Sequence, residues 1–125
     1  MDEKKIKYGV VGVGYLGKFH LKHLLKINQV EVIGLYDSSL DRAIQISKEF
    51  NVKKFKSLDD LLDSVDAVSI VTPTVSHMTV ALKALNHNCH IFIEKPISDN
   101  LENGHQILKQ VKETNQIAHV GHVER

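Results

Sequence analysis

Gly12-Val13-Gly14-Tyr15-Leu16-Gly17 stands between the apolar run Lys5–Val11 (KIKYGVV) and the stretch Tyr15–Ile27. The run before it reads as a buried strand. The stretch after it reads as a helix, with Leu16, His20, Leu24 and Ile27 on one stripe. A G-x-G-x-x-G pattern alone is weak, because glycine triplets arise by chance. Placed directly after a strand and at the mouth of a helix, it becomes a phosphate-binding turn. Gly12 permits the tight turn, Gly14 lacks the Cβ that would keep a diphosphate off the backbone, and Gly17 lets helix and strand pack closely. Tyr15 and Leu16 complete the loop, and the unpaired amides and positive dipole end of the helix hold the anion.

Working outward, Val30–Tyr36 (VEVIGLY) reads as the second strand and leads into Asp37, 20 residues past Gly17. A carboxylate there accepts hydrogen bonds from both hydroxyls of an adenine ribose. Its charge also repels a 2′-phosphate, by roughly 4 kcal/mol at ~4 Å and an effective dielectric near 20. Turn and acid together specify a dinucleotide site that prefers NAD over NADP. Two neighbours soften that preference: Ser38 is small enough to leave space for a 2′-phosphate, and Arg42, one helical turn on, is able to swing toward one.

Strand and helix patterns alternate through the rest of the chain. Ser39–Phe50 reads as a helix with Leu40, Ala43, Ile44, Ser47 and Phe50 inward, and Lys53–Phe55 as a short third strand. Ser57 and Asp60 form a capping-box pair that opens a short helix through Leu62. Ala67–Val71 (AVSIV) is nearly all apolar, as in a strand covered on both faces. Helices at Val75–Asn86 and Leu101–Asn115 alternate with strands at His90–Ile93 and Ile117–Val120. The pattern predicts an α/β fold, a doubly wound parallel sheet of Rossmann type with right-handed crossovers. The expected organisation is one dinucleotide-binding domain over residues 1–120, with residues 121–125 starting a connection onward.

Composition narrows the function classes. The net charge is +1 and no long basic run occurs, which argues against nucleic acid or an anionic membrane surface as partner. No apolar stretch approaches the ~20 residues that span a bilayer, and the opening MDEKK has no apolar segment behind it to make a secretory signal. Cys89 is the only cysteine, so an internal disulfide and a Cys-based zinc site are both excluded. These features predict a cytoplasmic protein. His20 and His23 lack further ligands nearby, and His87 and His90 bracket a turn, so no metal site is expected.

Two more strand ends carry unusual residues: Thr72-Pro73-Thr74-Val75-Ser76-His77 and Glu94-Lys95-Pro96. Open α/β sheets bind ligands beyond the carboxyl ends of their strands, so these segments fall along one edge with Gly12–Gly17 and Asp37. With VGVGYLGKFH, VTPTVSH, HIFIEKP and VGHVER, the chain resembles the glucose–fructose oxidoreductase / inositol dehydrogenase family (Gfo/Idh/MocA) along its whole length. The Glu94-Lys95-Pro96 triplet is the most specific of these signatures.

The resemblance implies an enzyme that oxidises a hydroxyl of a sugar, nucleotide sugar or cyclitol with NAD, or runs the reverse. Lys95 is then the catalytic residue beside the nicotinamide, donating a hydrogen bond to the reacting oxygen or moving its proton. Thr72, Pro73, Thr74 and His77 line the cofactor groove. Glu94 faces the nicotinamide side, Pro96 holds Lys95 extended, and Gly121 and His122 lie near the nicotinamide. The family usually has glycine where this chain has Asn88, a helix C-cap position that needs a left-handed backbone. The resemblance also implies a second α/β domain that carries most substrate contacts and the interface of a homo-oligomer, absent from this chain. It leaves open a non-catalytic nucleotide-sensing module on the same fold, against which Lys95 argues, and a coenzyme A site, against which Asp37 argues.

Overall fold

Parallel pairing organises the molecule, whose computed structural model describes residues 5–72, 77–94, 109–114 and 116–121. Among the described residues there are five strands: β1 (Ile6–Val11), β2 (Val30–Tyr36), β3 (Ala67–Ile70), β4 (His90–Glu94) and β5 (Ala118–Gly121). They lie in the order β2-β1-β3-β4-β5, and every neighbouring pair is parallel. The connecting helices are α1 (Tyr15–Leu24), α2 (Leu40–Phe50), α3 (Leu58–Ser64) and α4 (His77–Asn86), and residues 109–114 are also helical.

The predicted third strand is reduced to a single bridge. Lys54 pairs in parallel with Leu35, while the Leu35 amide donates to Lys53 O at 2.9 Å and the Phe55 amide to Leu35 O at 2.8 Å. Counted as a strand, this segment gives the Rossmann order 3-2-1-4-5-6. Lys53, Lys54 and Lys56 put charge on an outer edge, which blunts it against further pairing. Phe55 folds back over the bare Gly34, where a Cβ would stand 2.3 Å from its ring.

The chain crosses the sheet in opposite directions from β1, so helices cover both faces. On one face Leu21, Leu24, Ala43 and Ile46 of α1 and α2 bury Val10 and Leu35. On the other, Leu61, Leu62, Ala81, Ala84 and Leu85 of α3 and α4 bury Val11, Val68, Ile70, Ile91 and Ile93. Every residue of β3 is buried, which accounts for its continuous apolar run.

Helix faces differ from the predicted stripes. In α1 the buried positions are Gly17, Leu21 and Leu24, while Leu16 and His20 are half-buried and Ile27 is exposed beyond the helix end. Gly17 sets that rotation: a Cβ on it would stand 1.7 Å from Gly12 O, so the bare Cα is what meets the strand. In α2, Ala43 and Ile46 are buried and Leu40 is exposed.

The caps follow sequence chemistry closely. Ser39 Oγ accepts from the Arg42 amide at 3.3 Å, and Ser57 Oγ from the Asp60 amide at 3.4 Å. Asn88 has φ +63°, the left-handed backbone expected of it, and Asn51 at φ +56° ends α2 in the same way. No helix among the described residues is long and apolar enough to cross a membrane. Gly17→Ala should cost about 2 kcal/mol or more, because the added methyl meets backbone that cannot step aside. Urea denaturation measures the loss, and a variant as stable as the parent would contradict this packing.

Candidate functional site

Three parallel strands end side by side where β1, β2 and β3 run out, and the loops leaving them meet. The Gly12 amide donates to Tyr36 O at 2.8 Å, and the Val71 amide to Val11 O at 2.8 Å. Gly12 has φ +93°, and a Cβ there would stand 2.8 Å from Val71 O and 2.9 Å from the Thr72 amide nitrogen. No other residue fits that turn without strain.

Gly14 is the N-cap of α1, with no side-chain cap and no acidic residue in the first turn. The first amides of a helix have no partner within it, so this end presents donors to whatever occupies the space ahead. Gly14 itself is bare toward that space. The nearest atom to a Cβ built on it would be Arg42 Nη1, at 3.8 Å.

Asp37 reaches this loop directly. Its Oδ2 accepts from the Val13 amide at 2.9 Å and its Oδ1 from the Ser39 amide at 2.8 Å. The acid therefore lies on the same side of the sheet as the glycine turn. Its side chain is only 6% exposed, and Arg42 Nη1 stands 3.7 Å from Oδ2. Two amides and a guanidinium offset the cost of holding the carboxylate out of water. Each oxygen keeps acceptor capacity beyond its one amide, enough for two ribose hydroxyls.

A cavity of about 720 Å³ opens over these residues, within the size range of small-ligand sites. Of the residues expected from sequence, Gly12, Gly14, Leu16, Asp37, Ser38 and Thr72 line it. Arg42, which the sequence already puts within reach of the ribose, lines it too, as do Leu58, Val71, Thr79 and Val80, which the sequence does not assign to the groove. Leu58 and Thr79 sit at or near the starts of α3 and α4. Helix starts facing the carboxyl ends of parallel strands are the signal that would have found them.

Gly17 acts one layer back, seating α1 against the loop. The backbone places Tyr15 at the start of α1, His77 at the start of α4 and Glu94 at the end of β4. Their side chains lie outside the described part. Pro73, Thr74, Lys95, Pro96 and His122 lie outside the described residues. Glu94 pairs with Gly121 of β5, and Ile70 with Ile93, so β4 ends along the same edge as the cavity.

Other titratable groups serve the scaffold. His87 Nδ1 is 2.6 Å from Asp63 Oδ1 and Nε2 is 3.2 Å from Asp59 Oδ1, tying α4 to α3. The Lys83 ammonium beside Asp59 holds that carboxyl below its usual range. His90 Nδ1 accepts from the Ile117 amide at 3.0 Å, joining β4 to the start of the last strand segment. Cys89 is fully buried, and burial pushes its thiol up to about 11, too high for a nucleophile at neutral pH. Among the described residues no group of three or more His, Cys, Asp or Glu is arranged to hold a metal. A second cleft of about 450 Å³, lined by Tyr8, Phe19, His20, His23, Ser69 and Phe92 among others, has neither the glycine turn nor the acid.

Known proteins are similar to this chain in sequence and in shape. Residues 6–122 match the Gfo/Idh/MocA family model, described as an oxidoreductase family with an NAD-binding Rossmann fold. The UDP-N-acetylglucosamine 3-dehydrogenase of Acidithiobacillus ferrooxidans is 38% identical over 96% of this chain and 38% of its own length. Its solved structure superposes with a TM-score of 0.90 at 35% identity, over 95% of this chain and 39% of that one. The scyllo-inositol 2-dehydrogenase (NAD(+)) of Bacillus subtilis is 33% identical over 98% of this chain and 37% of its own length. The scyllo-inositol dehydrogenase of Lactobacillus casei, solved with NAD(H) and scyllo-inositol, superposes at TM-score 0.86 and 31% identity, over 94% of this chain and 36% of that one. The chain thus spans a little over a third of the length of these relatives.

Gly14→Ala tests the open approach to the loop. Its methyl meets only the end of the Arg42 side chain, so stability should stay within about 0.5 kcal/mol of the parent. It would stand where a diphosphate has to come, so NAD affinity should fall by about tenfold or more. Undiminished NAD binding, measured by calorimetry, would show that the ligand does not approach this backbone.

Proposed function

The chain belongs to the Gfo/Idh/MocA oxidoreductase family as its NAD-binding Rossmann domain, and on that premise we propose that it is the cofactor half of a dehydrogenase acting on a hydroxyl of a sugar, nucleotide sugar or cyclitol. The observation that carries this reading is the Val13 amide–Asp37 carboxylate contact at the mouth of α1, beneath a cavity of ligand size. Bound NAD would supply the hydride acceptor. The amides at the start of α1 grip the diphosphate, and Gly14 leaves it room. Asp37 holds the adenine ribose through its hydroxyls, and Leu58 and Val80 offer an apolar wall to the base.

Lys95 follows Glu94 in sequence, and Glu94 is the last residue of β4, which ends along the edge where the cavity opens. We assign Lys95 the proton: as the neutral amine it takes the hydroxyl proton while the C–H bond breaks and its hydride leaves for NAD, and in the reverse direction its ammonium returns that proton to the carbonyl oxygen. Pro96 restricts the backbone of Lys95 to extended conformations. Thr72, Pro73, Thr74, His77, Glu94 and His122 line the groove toward the nicotinamide. Residues 1–120 form the cofactor domain, and residues 121–125 lead toward a substrate domain of the kind the longer relatives have room for. Near-attack geometry requires that second domain. In its longer form the protein is read as cytoplasmic and homo-oligomeric.

Titration of the chain with NAD, NADP and coenzyme A tests the cofactor assignment. NAD should bind most tightly, and an equal or stronger response to coenzyme A would overturn the assignment. In a form of the protein that turns over, Lys95→Ala should cut kcat by about a hundredfold or more and leave NAD affinity within about threefold. NAD affinity weakened more than about tenfold, with kcat at saturating NAD close to the parent's, would move Lys95 out of its proton role.

A further inference from the structure

We propose that His87 is a positioning residue for the cofactor groove: a charged clasp between α3 and α4 that holds the groove's apolar wall together and opens as its ring loses a proton. The inference rests on the dinucleotide reading of that groove. The two helices meet along matched stripes. Asp59 and Asp63 are four residues apart on α3, and Val80, Lys83 and His87 follow at intervals of three and four on α4, so each set shares one helix face. His87 Nδ1 stands 2.6 Å from Asp63 Oδ1, its Nε2 3.2 Å from Asp59 Oδ1, and Lys83 Nζ 3.3 Å from that same Asp59 oxygen. Among the described residues, this cluster makes the polar side-chain contacts that join α3 to α4. The front ends of the same stripes reach the cavity. Leu58, which precedes Asp59, and Val80, one turn before Lys83, line it together with Thr79. The wall offered to the base is thus contributed by two helices, and the cluster ties them together just behind it.

The ring's two partners decide its state. Ionised carboxylates only accept hydrogen bonds, so each of the two contacts needs an N–H. A ring that carries both is positively charged. A neutral ring has one N–H, and its bare nitrogen then faces the lone pairs of a carboxylate. One of the two contacts becomes repulsive, and the clasp loosens. Asp59 keeps its charge through that change, because the Lys83 ammonium bonded to it holds its carboxyl below the usual range. Lys83 pairs with Asp59, so the tie to Asp63, at the far end of α3, is left to His87. Imidazole titrates between about pH 5 and pH 8, so the clasp is closed at the acid end of that range and opens as pH rises. The groups around the ring leave this response to it. Among the described residues no other charged side chain makes an ion pair with His87. Asp66 accepts from the Lys7 amide at 3.0 Å, and the buried Cys89 thiol, pushed up to about 11, stays neutral. The helical segment at residues 109–114 meets α4 through a neutral pair, Gln110 Nε2 donating to Asn86 Oδ1 at 2.7 Å. The His87 side chain is 25% exposed and the two acids more so, which limits the effect to a few-fold in affinity.

The experiment measures the dissociation constant of NAD at about pH 6 and about pH 8 for the chain and for His87→Gln, His87→Arg and Asp63→Asn, with folding followed by circular dichroism. The parent should bind NAD about three- to fivefold more weakly at the higher pH, the worth of one partly exposed charge pair. His87→Gln should bind as weakly as the parent does at the higher pH and show no dependence. His87→Arg supplies a permanent cation with several donors, so it should keep the tighter affinity at both values. Asparagine either accepts or donates. Asp63→Asn therefore keeps its contact in both forms of the ring, and its dependence should shrink below about twofold. Equal affinity of the parent at the two values would overturn the proposal, as would a dependence that survives His87→Gln. A loss in His87→Gln that His87→Arg leaves unrepaired would show that the ring only packs, and would overturn it too. Should His87→Gln fail to fold, His87→Arg and Asp63→Asn decide by the same comparison. If the parent binds NAD at neither value, the dinucleotide reading itself falls and takes this inference with it.

Discussion

One hydrogen bond joins the two halves of the site: the Val13 amide, in the turn after β1, donates to Asp37, in the loop after β2. That bond requires β1 and β2 to be parallel neighbours whose ends coincide, which the register Val11↔Tyr36 provides. It requires Gly12 at φ +93°, since only that turn aims the following amide at the acid. It also requires α1 to sit close enough for its first amides to face the same space, and Gly17 secures this by carrying no side chain against Gly12 O. The buried carboxylate has a structural duty as well as a recognition one. It ties down the loop whose amides meet the diphosphate, so the groove is shaped before any ligand arrives.

Much of this was legible because it depends on local chemistry. Glycine at positions 12, 14 and 17 has few explanations in that context, and the acid after VEVIGLY lies at the distance the motif demands. The near-continuous apolar run of β3 announced a strand buried on both faces. Ser57 and Asn88 were readable as caps because short polar side chains compete for orphaned backbone groups at helix ends, whereas Ser39, which the pattern puts inside the helix, is its N-cap.

What escaped sequence reading depends on distance in space. The stripe Leu16-His20-Leu24-Ile27 satisfied a helical period, yet α1 is turned so that Gly17, Leu21 and Leu24 face inward. A glycine scores as nothing in a hydrophobic pattern, and here any side chain on it would collide with the Gly12 carbonyl. The strand expected at Lys53–Phe55 is a single bridge, Lys54 to Leu35. The sequence places His87 only beside a turn, whereas its ring nitrogens face two carboxylates of α3. Those partners stand 24 and 28 residues away, and no local pattern announces them. Arg42 was noticed as a neighbour of the acid, but its reach back to Gly14 appears only in three dimensions.

The account stands or falls on where the dinucleotide touches the protein. Amide chemical shifts recorded during titration with NAD give that directly. The largest changes should fall on Val13, Gly14, Tyr15, Leu16 and Gly17, with a second group at Asp37, Ser38 and Ser39. Changes gathered instead around Tyr8, Ser69 and Phe92, in the cleft that has no glycine turn, would contradict it.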